Sequence, residues 1–573
     1  MADKLGYFAL VLHTHIPYVL AHGRWPHGTD WLSEAVVESY IPLIDVFKEL
    51  ADKGVAPKVT FSITPITCEQ LSDPSFPNEL KDYLQNKIKL SHEAEKEWHS
   101  QGEEQMAKLA SFWEKFYSKI YEKFENEFQE DLIKVLRGLQ DAGQIEIMTS
   151  CATHGYLPLL LLDESVQSQV RLGVTAYHHH FGKQPRGIWL PECAYRPRYV
   201  WQAPLIDCKY LRKGVDEFIS EEGLQYFIVD THLLKGGKVT GVYLERFEAL
   251  KALWERVEKV ERPEEIEKYP YRPYLVNSSG EPKRPVAIFV RDPETGLQVW
   301  SGQVGYPGDG FYLDFHKKHF PSGLRFWRVT DPKADLGAKL PYEREKAEER
   351  VEEHSRHFLT LLKRVLAQFK KETGKMGIIV APYDTELFGH WWFEGPKFLK
   401  RVIERIAEDE EIEMITCGDY LERYPADTLV SLPEGSWGEG GFHWIWLNEW
   451  TEWTWRYIYQ AEKEMKELTR KALGKGESVE RVLKQMAREL LLLQSSDWQF
   501  LISTWTARDY AEIRVAEHYN SFLRLSQMLK ELLEGKKPDP SAWQFLEYCE
   551  ARDRPFPYID PSSFAELTYP PNP

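Results

Sequence analysis

The chain has 573 residues, of which 43% are hydrophobic and 28% charged, a balance typical of globular proteins rather than disordered or membrane-embedded ones. Its net charge of -17, from 72 Lys and Arg against 89 Asp and Glu, disfavours a polyanionic partner such as nucleic acid. The N-terminus has no signal-peptide pattern and no run approaches the roughly 20 apolar residues of a membrane span, so we expect a cytoplasmic protein without membrane contact.

Short apolar runs alternate with helical patterns along residues 1–417. The predicted strands are Tyr7–His13, Lys58–Thr64, Gln144–Thr149, Gly187–Pro191, Tyr226–Asp230, Val286–Val290, Gly377–Ala381 and Glu413–Thr416. Continuous apolar runs of this kind suit a parallel sheet that is buried on both faces. Predicted helices, such as Ser33–Leu50, Tyr342–Lys371 and Pro396–Ala407, lie between them. This order predicts an α/β protein built on a β/α barrel.

Two segments interrupt the alternation, and a different pattern follows it. Residues 75–139 are charged and helical, and they predict a helical insertion within the barrel. Residues 233–284 form a connection long enough for a lid-like loop. From 418 to 573 helical periodicity dominates, as in TWRYIYQAEKEMKELTRKAL, which predicts a C-terminal helical domain.

Polar side chains follow four of the predicted strands. His13 and His15 end the first, His154 follows the third, Glu192 follows the fourth, and Asp384 follows a late strand. Because active sites of β/α barrels lie at the carboxyl ends of the strands, we expect these side chains to meet at one rim.

Two carboxylates at this rim suit cleavage of a glycosidic bond, in which one attacks or stabilises the sugar cation and the other protonates the leaving oxygen. Asp384 is the better acid because its neighbours in sequence are aromatic, and an apolar environment raises a carboxyl pKa. Arg196 and Arg198 are expected to favour the charged form of Glu192. A structural ion pair is the alternative for either carboxylate.

These residues lie in segments that resemble glycoside hydrolase family 57 in chain order: LHTHIPYV, EIMTSCATHGYLPLL, GIWLPECAYRP, APYDTELFGHWWFEGP and GSWGEGGFHWIWLN. Two more, VRDPETGLQVWSGQVGYPGD and LLLQSSDWQFLI, resemble the 1,4-α-glucan branching enzymes of that family. The resemblance covers nearly the whole chain. It implies an incomplete (β/α)7 barrel over residues 1–417, with a helical insertion, and a C-terminal α-helical domain that contributes to the substrate cleft.

The resemblance also implies a retaining mechanism, with Glu192 as nucleophile and Asp384 as general acid/base. Substrate contacts are implied for His13, His15, His154, Arg291, Trp300, Gly308, Trp437, Trp446 and Asp497. The implied partner is an α-1,4-glucan such as amylose, glycogen or starch, whose cleaved chain moves to a sugar 6-hydroxyl to make an α-1,6 branch of a glycogen-type polymer. Hydrolysis as an α-amylase, or 4-α-glucan transfer, is the alternative. No cofactor is expected.

Branching members of the family carry a loop tyrosine that favours transfer over hydrolysis. Here the corresponding segment, 233–284, is longer, and four tyrosines compete for the role: Tyr243, Tyr269, Tyr271 and Tyr274. For Trp300, Trp437 and Trp446, core packing and stacking on sugar rings both remain open, although their Gly-rich surroundings favour stacking. A catalytically inactive glucan-binding protein is a third class, which the presence of both carboxylates disfavours.

A zinc site is the rival interpretation of the histidines. His13, His15 and His154, with an acid, could bind zinc as in barrels that remove acyl groups or act on mannose, whereas the family resemblance implies no metal. The six cysteines are widely spaced without a CxxC pair, so they predict neither a zinc ribbon nor a disulfide framework. The run from His178 to His180 is interpreted as a solvated turn.

Overall fold

The computed structural model describes residues 4–236, 268–279, 284–302 and 304–568. The strands in these ranges are β1 (Gly6–Thr14), β2 (Val59–Ile63), β3 (Ile145–Ser150), β4 (Gly187–Trp189), β5 (Tyr199–Gln202), β6 (Lys209–Arg212), β7 (Tyr226–Val229), β8 (Tyr274–Val276), β9 (Val286–Val290), β10 (Gly377–Asp384) and β11 (Ile412–Met414). All eight predicted strands are confirmed. The sequence analysis missed the antiparallel hairpin β5–β6 and the short strand β8.

Seven parallel strands form a ring, in the order β10, β1, β2, β3, β4, β7 and β9. A parallel bridge between Arg291 and Val380 joins the end of β9 back to β10, and the Asp292 N–H donates to the Val380 carbonyl at 2.9 Å. Elsewhere along β9 the neighbour is the antiparallel strand β8. The predicted incomplete (β/α)7 barrel is therefore confirmed.

Side chains alternate along the barrel strands, as the two-residue period of a strand requires. The interior cluster takes its residues from alternate positions of β1, β9 and β10, namely Tyr7, Ala9, Val11, Ala287, Phe289, Ile378 and Val380. The same period brings His13, Arg291 and Asp384 to the inner side at the carboxyl ends of these strands. His13 and Asp384 are direct partners in the β1–β10 register.

Helices surround the barrel and connect its strands. In the described part of residues 4–423 they are Thr29–Ala35, Ile41–Asp52, Pro65–Leu71, Phe76–Ser100, Glu104–Glu122, Leu132–Asp141, Asp163–Phe181, Val215–Glu221, Thr231–Lys235, Pro293–Trp300, Arg344–Thr373, Gly395–Ala407 and Cys417–Arg423. Three of them, between Phe76 and Asp141, occupy the segment expected to be a helical insertion. They lie between β2 and β3.

The chain ends in a set of packed helices, so the predicted helical C-terminal domain is confirmed. They are Glu452–Ala472, Glu477–Leu493, Ser496–Thr504, Arg508–Leu533 and Pro540–Arg552. Trp437 and Trp446 lie within the predicted region 418–573 but not on its helices. Both lie in the loop 424–451, in which the one short helical segment is the 3-10 turn Glu439–Gly441.

The run His178–His180 is not a turn that follows a helix, although His178 and His179 are exposed as expected. It forms the last turn of the helix Asp163–Phe181, and His180 is buried, with Nε2 at 2.9 Å from Glu69 Oε1. The residue type alone could not reveal this partner, which lies 111 positions earlier in the chain.

Much of the segment 233–284 lies outside the described residues, and Tyr243 lies there with it. Among the helices that the structure describes, none is long and apolar enough to cross a membrane.

Candidate active site

A cavity of about 850 Å³ opens at the carboxyl ends of the barrel strands, between the barrel, the loop 424–451 and the C-terminal helices. Every predicted catalytic or substrate-binding residue apart from the tyrosines lines it: His13, His15, His154, Glu192, Arg291, Trp300, Gly308, Asp384, Trp437, Trp446 and Asp497. The structure thus brings together side chains that are up to 484 positions apart in the sequence.

Glu192 enters the cavity from an unusual backbone conformation. Its φ of 61° and ψ of 23° are left-handed, a conformation that costs a non-glycine residue on the order of 1 kcal/mol or more. The Trp437 N–H holds the Glu192 carbonyl at 3.0 Å. This sharp turn directly after β4 directs the carboxylate into the cavity.

Two neutral donors hold the Glu192 carboxylate. Trp437 Nε1 donates to Oε2 at 3.0 Å, and Ser496 Oγ donates to Oε1 at 3.0 Å. Burial raises the pKa of Glu192 to about 7, against the opposing effect of the Trp437 hydrogen bond. Glu192 can therefore be an anion near neutral pH, and the loop 424–451 and the helix Ser496–Thr504 both stabilise its charged form.

The two arginines near Glu192 in sequence do not perform that role, which corrects the sequence-based expectation. Arg198 pairs with Glu217 at 2.8 Å. Arg196 is fully buried, and the charges that most affect its pKa are those of Arg212, Asp163 and Glu434. Proximity in sequence failed here because the chain turns sharply at Glu192 and carries both arginines away.

Asp384 ends β10 and faces the same cavity. Burial, together with the charges of Glu386 and Glu192, raises the pKa of Asp384 well above its ordinary value, and Arg291 opposes this effect. Asp384 consequently holds its proton to higher pH than an ordinary aspartic acid. The two carboxyl groups are close enough for their charges to interact. Their surroundings differ, because neutral donors hold Glu192 whereas carboxylates neighbour Asp384.

Glu386 is a further cavity carboxylate that the sequence analysis did not single out. Tyr40 OH donates to its Oε1, and the backbone N–H of His15 donates to the same atom at 3.2 Å. Burial raises the pKa of Glu386. Its position two residues after Asp384, at the same strand end, is the signal that could have identified it.

Of the histidines that line the cavity, His13, His15 and His154 are hydrogen-bonded through both ring nitrogens. His13 contacts Ser62 Oγ and His154 Nε2, each at 3.1 Å, and the Nδ1 of His154 lies 2.9 Å from Ser496 Oγ. His15 contacts Thr64 Oγ1 at 3.0 Å and Asp497 Oδ2 at 2.8 Å.

These contacts bear on the rival zinc interpretation. His15, His154 and Asp497 have potential ligand atoms within 4.8 Å of one another, which is a compact set. However, every ring nitrogen involved already has a protein partner, so a metal ion would have to displace several hydrogen bonds. The donor set fits a hydrogen-bonded network better than a zinc site.

The cavity tryptophans divide into two kinds. Trp437 and Trp300 are half-buried and pack edge to face, with ring centroids 6.2 Å apart, and the Arg291 guanidinium lies over the Trp437 ring at 5.6 Å. Trp446 is only 1% exposed and stacks on Tyr156 at 4.5 Å. Trp446 is thus mainly a core residue beneath the cavity, whereas Trp300 and Trp437 can contact a ligand.

Further aromatic residues line the rim, of which the sequence analysis assigned none to substrate binding: Trp31, Phe315, Trp391 and Phe500. Trp391 is 50% exposed and stacks on Phe315, with centroids 4.3 Å apart. A rigid, exposed ring of this kind suits contact with the apolar face of a sugar.

The described tyrosine candidates do not line the cavity. Tyr269 and Tyr271 pack on Phe369 at 5.4 and 5.6 Å, and Tyr274 is buried in β8. Phe369 belongs to the outer helix Arg344–Thr373. The structure therefore does not bring these three residues together with Glu192.

Residues 9–433 match the model of glycosyl hydrolase family 57. The chain belongs to this family. A second model, for the C-terminal part of 1,4-alpha-glucan branching enzymes, matches residues 457–564.

Several relatives of this family 57 chain are similar over its whole length. A 1,4-alpha-glucan branching enzyme of Thermococcus kodakarensis is 43% identical, over 99% of this chain and 81% of the relative. The structure of a branching enzyme of Pyrococcus horikoshii is 41% identical with a TM-score of 0.88, covering 100% and 98% of the two chains. The structure of the α-amylase AmyC of Thermotoga maritima is 30% identical with a TM-score of 0.81, covering 98% and 99%.

Proposed function

We propose that this protein is a retaining 1,4-α-glucan branching enzyme. The observation that carries the proposal is the C-terminal part of the chain, which matches the model named for branching enzymes. It supplies Asp497 to the cavity and the Ser496 hydroxyl to Glu192. The identity of 43% to a named branching enzyme supports it.

In the first step, Glu192 attacks the anomeric carbon of an α-1,4-linked glucose while Asp384 protonates the departing oxygen. The geometry suits these roles. Glu192 can be ionised near neutral pH and is held by two donors, whereas Asp384 retains its proton because burial and two neighbouring carboxylates disfavour its anion. The result is a glucan chain bound covalently to Glu192 and a free non-reducing end on the departing chain.

In the second step, Asp384 takes the proton from a sugar 6-hydroxyl, whose oxygen then displaces Glu192 from the anomeric carbon. The product is an α-1,6 branch, and the carboxylate of Glu192 is restored. Two inversions retain the α configuration. Growth of a glycogen-type polymer follows from repetition of these two steps.

Hydrolysis by the same site is the second candidate. The α-amylase of Thermotoga maritima covers the same architecture at 30% identity, so the barrel and its carboxylates do not distinguish water from a sugar hydroxyl as the acceptor. The greater identity to branching enzymes favours transfer.

Incubation of the purified protein with amylose tests the proposal. A branching enzyme lowers the iodine absorbance, creates α-1,6 signals in the NMR spectrum and produces few new reducing ends. Reducing ends that appear without α-1,6 linkages would indicate an amylase instead, and inverted products would contradict the retaining mechanism. Glu192→Gln protein prepared in the same way is the control for contaminating activity.

A further inference from the structure

A continuous hydrogen-bond chain leads from the barrel wall to Glu192. It begins at Ser62 Oγ on β2 and passes through His13 and His154 to Ser496, with successive distances of 3.1, 3.1 and 2.9 Å. The last contact, from Ser496 Oγ to Glu192 Oε1, measures 3.0 Å. Four elements that are distant in the sequence contribute one side chain each before Glu192.

The direction of each hydrogen bond follows from the number of protons available. When Glu192 is an anion it can only accept, so the single hydroxyl proton of Ser496 points to it. Ser496 Oγ must then accept from His154 Nδ1. A neutral imidazole carries one proton, so His154 Nε2 accepts from His13 Nε2, and His13 Nδ1 accepts from Ser62.

The neutral state of both histidines has a physical cause. Burial lowers the pKa of His13 and of His154 well below the ordinary value, and the charge of His15 lowers each further. Three imidazoles lie face to face here, with the ring centroids of His15 and His154 only 4.0 Å apart. His15 is the one paired with Asp497 at 2.8 Å, and this pairing outweighs burial and raises the pKa of His15, so His15 takes up a proton before its two neighbours.

We propose that Ser62 and Ser496 are positioning residues for Glu192, at the two ends of this hydrogen-bond chain. The chain gives every donor the same direction, toward the carboxylate. Aligned hydrogen bonds polarise one another, so the final donor is stronger than an isolated serine hydroxyl. This inference rests on the proposed role of Glu192 as the nucleophile.

The chain reverses when Glu192 takes up a proton. Oε2 accepts from Trp437 Nε1, so the proton goes to Oε1, which faces Ser496. The Glu192 hydroxyl then donates to Ser496, Ser496 donates to His154 Nδ1, His154 Nε2 donates to His13 Nε2, and His13 Nδ1 donates to Ser62. Both histidines change tautomer without a change of charge, so their tautomers report the ionisation of Glu192.

Other titratable groups also face Glu192 and set its ionisation. They are Asp384 on β10, Asp497 on the helix Ser496–Thr504 and His15 after β1, together with the uncharged His154, whose Nδ1 lies 3.8 Å from Oε1. The substitutions that test the chain leave all of these in place.

Ser496→Ala removes the final donor and should move the acid limb of the kcat/KM profile up by about one pH unit, because a donor to a charged group contributes on that scale. Ser496→Thr keeps the hydroxyl and should restore the wild-type limb. Ser62→Ala, at the far end, should produce a smaller shift of the same sign. Ser91→Ala removes an equally buried hydroxyl that donates to Lys87 O in a distant helix, and it should leave the profile unchanged.

¹⁵N NMR of histidine-labelled protein supplies a readout that does not depend on activity. At pH 8, His154 should carry its proton on Nδ1 and His13 on Nε2, and both should switch together with the titration of Glu192. In folded Ser496→Ala protein, the switch should be lost. A His154 proton on Nε2 at pH 8 would contradict the proposed direction of the hydrogen bonds. An unshifted acid limb in folded Ser496→Ala protein would contradict the positioning role of Ser496.

The role of Glu192 as nucleophile and the positioning role of the two serines can be tested separately. Full activity of Glu192→Gln would end the assignment of the nucleophile, whatever the tautomers are. An inactive Glu192→Gln together with a Ser496→Ala profile identical to wild type would end the positioning role of the serines alone.

Discussion

Glu192 and Asp384 occupy one cavity but are held by different neighbours. Glu192 accepts hydrogen bonds from Trp437 and Ser496, whereas Asp384 is affected most by burial and by the charges of Glu386 and Glu192. Donors favour an anion, and burial beside like charges favours a neutral acid. Their roles in the proposed mechanism follow from these surroundings rather than from the residue type.

An activated substrate separates the two roles. α-Maltosyl fluoride has a leaving group that needs little protonation, so Asp384→Asn should still form a glycosyl-enzyme from it, while its turnover of amylose falls by about 10³-fold or more. Glu192→Gln should react with neither substrate. Intact-protein mass spectrometry after mixing shows the adduct. An adduct on Glu192→Gln would contradict the assignment of Glu192 as the nucleophile. The absence of an adduct on Asp384→Asn would contradict the assignment of Asp384 as the acid.

The ionisation of Glu192 and Asp384 predicts how kcat/KM depends on pH. Glu192 must lose its proton before it can attack, and its pKa is about 7. The rate should therefore fall about tenfold for each pH unit below that value. It should fall again at high pH, where Asp384 loses the proton that it donates. Initial rates on a soluble maltooligosaccharide from pH 4 to 10 measure both limbs, and a profile that stays flat down to pH 5 contradicts the ionisation required of Glu192.

Sequence reasoning located titratable members of the site but not their serine partners. His13, Glu192 and Asp384 could be placed because polar residues that end apolar strands must meet at one rim. Ser62 and Ser496 could not be found in this way, since serines are common and the contacts of Ser496 span more than 300 positions. The left-handed conformation of Glu192 was likewise invisible, and with it the reason why Arg196 and Arg198 lie elsewhere.

At the scale of elements, the segment that follows β10 presents Trp391 at the cavity rim. Its backbone N–H donates to Glu386 O at 3.1 Å, and its ring stacks on Phe315, so the position of the exposed indole is fixed. The loop 424–451 likewise presents Trp437 to the cavity. Neither segment has a helical or strand period, so the sequence could indicate their residues but not their positions.

Trp391→Ala tests whether this rim binds glucan. Loss of a stacking ring should raise KM for amylose about fivefold and leave kcat nearly unchanged, because the contact is the same in the ground and transition states. Trp505→Ala is the matched control, since Trp505 is 60% exposed and does not line the cavity. Equal KM values for the two variants would exclude Trp391 from the binding surface.

At the scale of the whole molecule, the site is completed where the barrel meets the C-terminal helices. His15 follows β1 and pairs with Asp497 of the helix Ser496–Thr504, and the Ser496 N–H donates to the His154 carbonyl at 3.0 Å. The parallel barrel was predictable from its continuous apolar runs and from their alternation with helices. The docking of the helices was not, because it depends on individual contacts between distant segments.

The Asp497–His15 pair predicts how this contact responds to acid. Burial alone would raise the pKa of Asp497 above its ordinary value of 3.8. The charge of His15 and its hydrogen bond outweigh burial and lower this pKa to about 2. A lowered folded-state pKa adds stability that is complete above pH 3.8 and lost as the pH falls from about 4 to 2. Tm of wild type should therefore exceed that of Asp497→Asn at pH 6, and the gap should narrow across that interval. A gap that stays constant would show that the pair adds no charge-dependent stability.

Among the described residues, one backbone bridge joins β9 to β10, between Arg291 and Val380. Arg291 lies on one side of this joint and Asp384 on the other, so a slight widening there would separate the guanidinium from the acid while the other strand pairs stay intact. Since Arg291 lowers the pKa of Asp384, widening would strengthen the hold of Asp384 on its proton, and narrowing would ease its release. The spacing between β9 and β10 therefore affects the acid strength of Asp384 through the charge of Arg291.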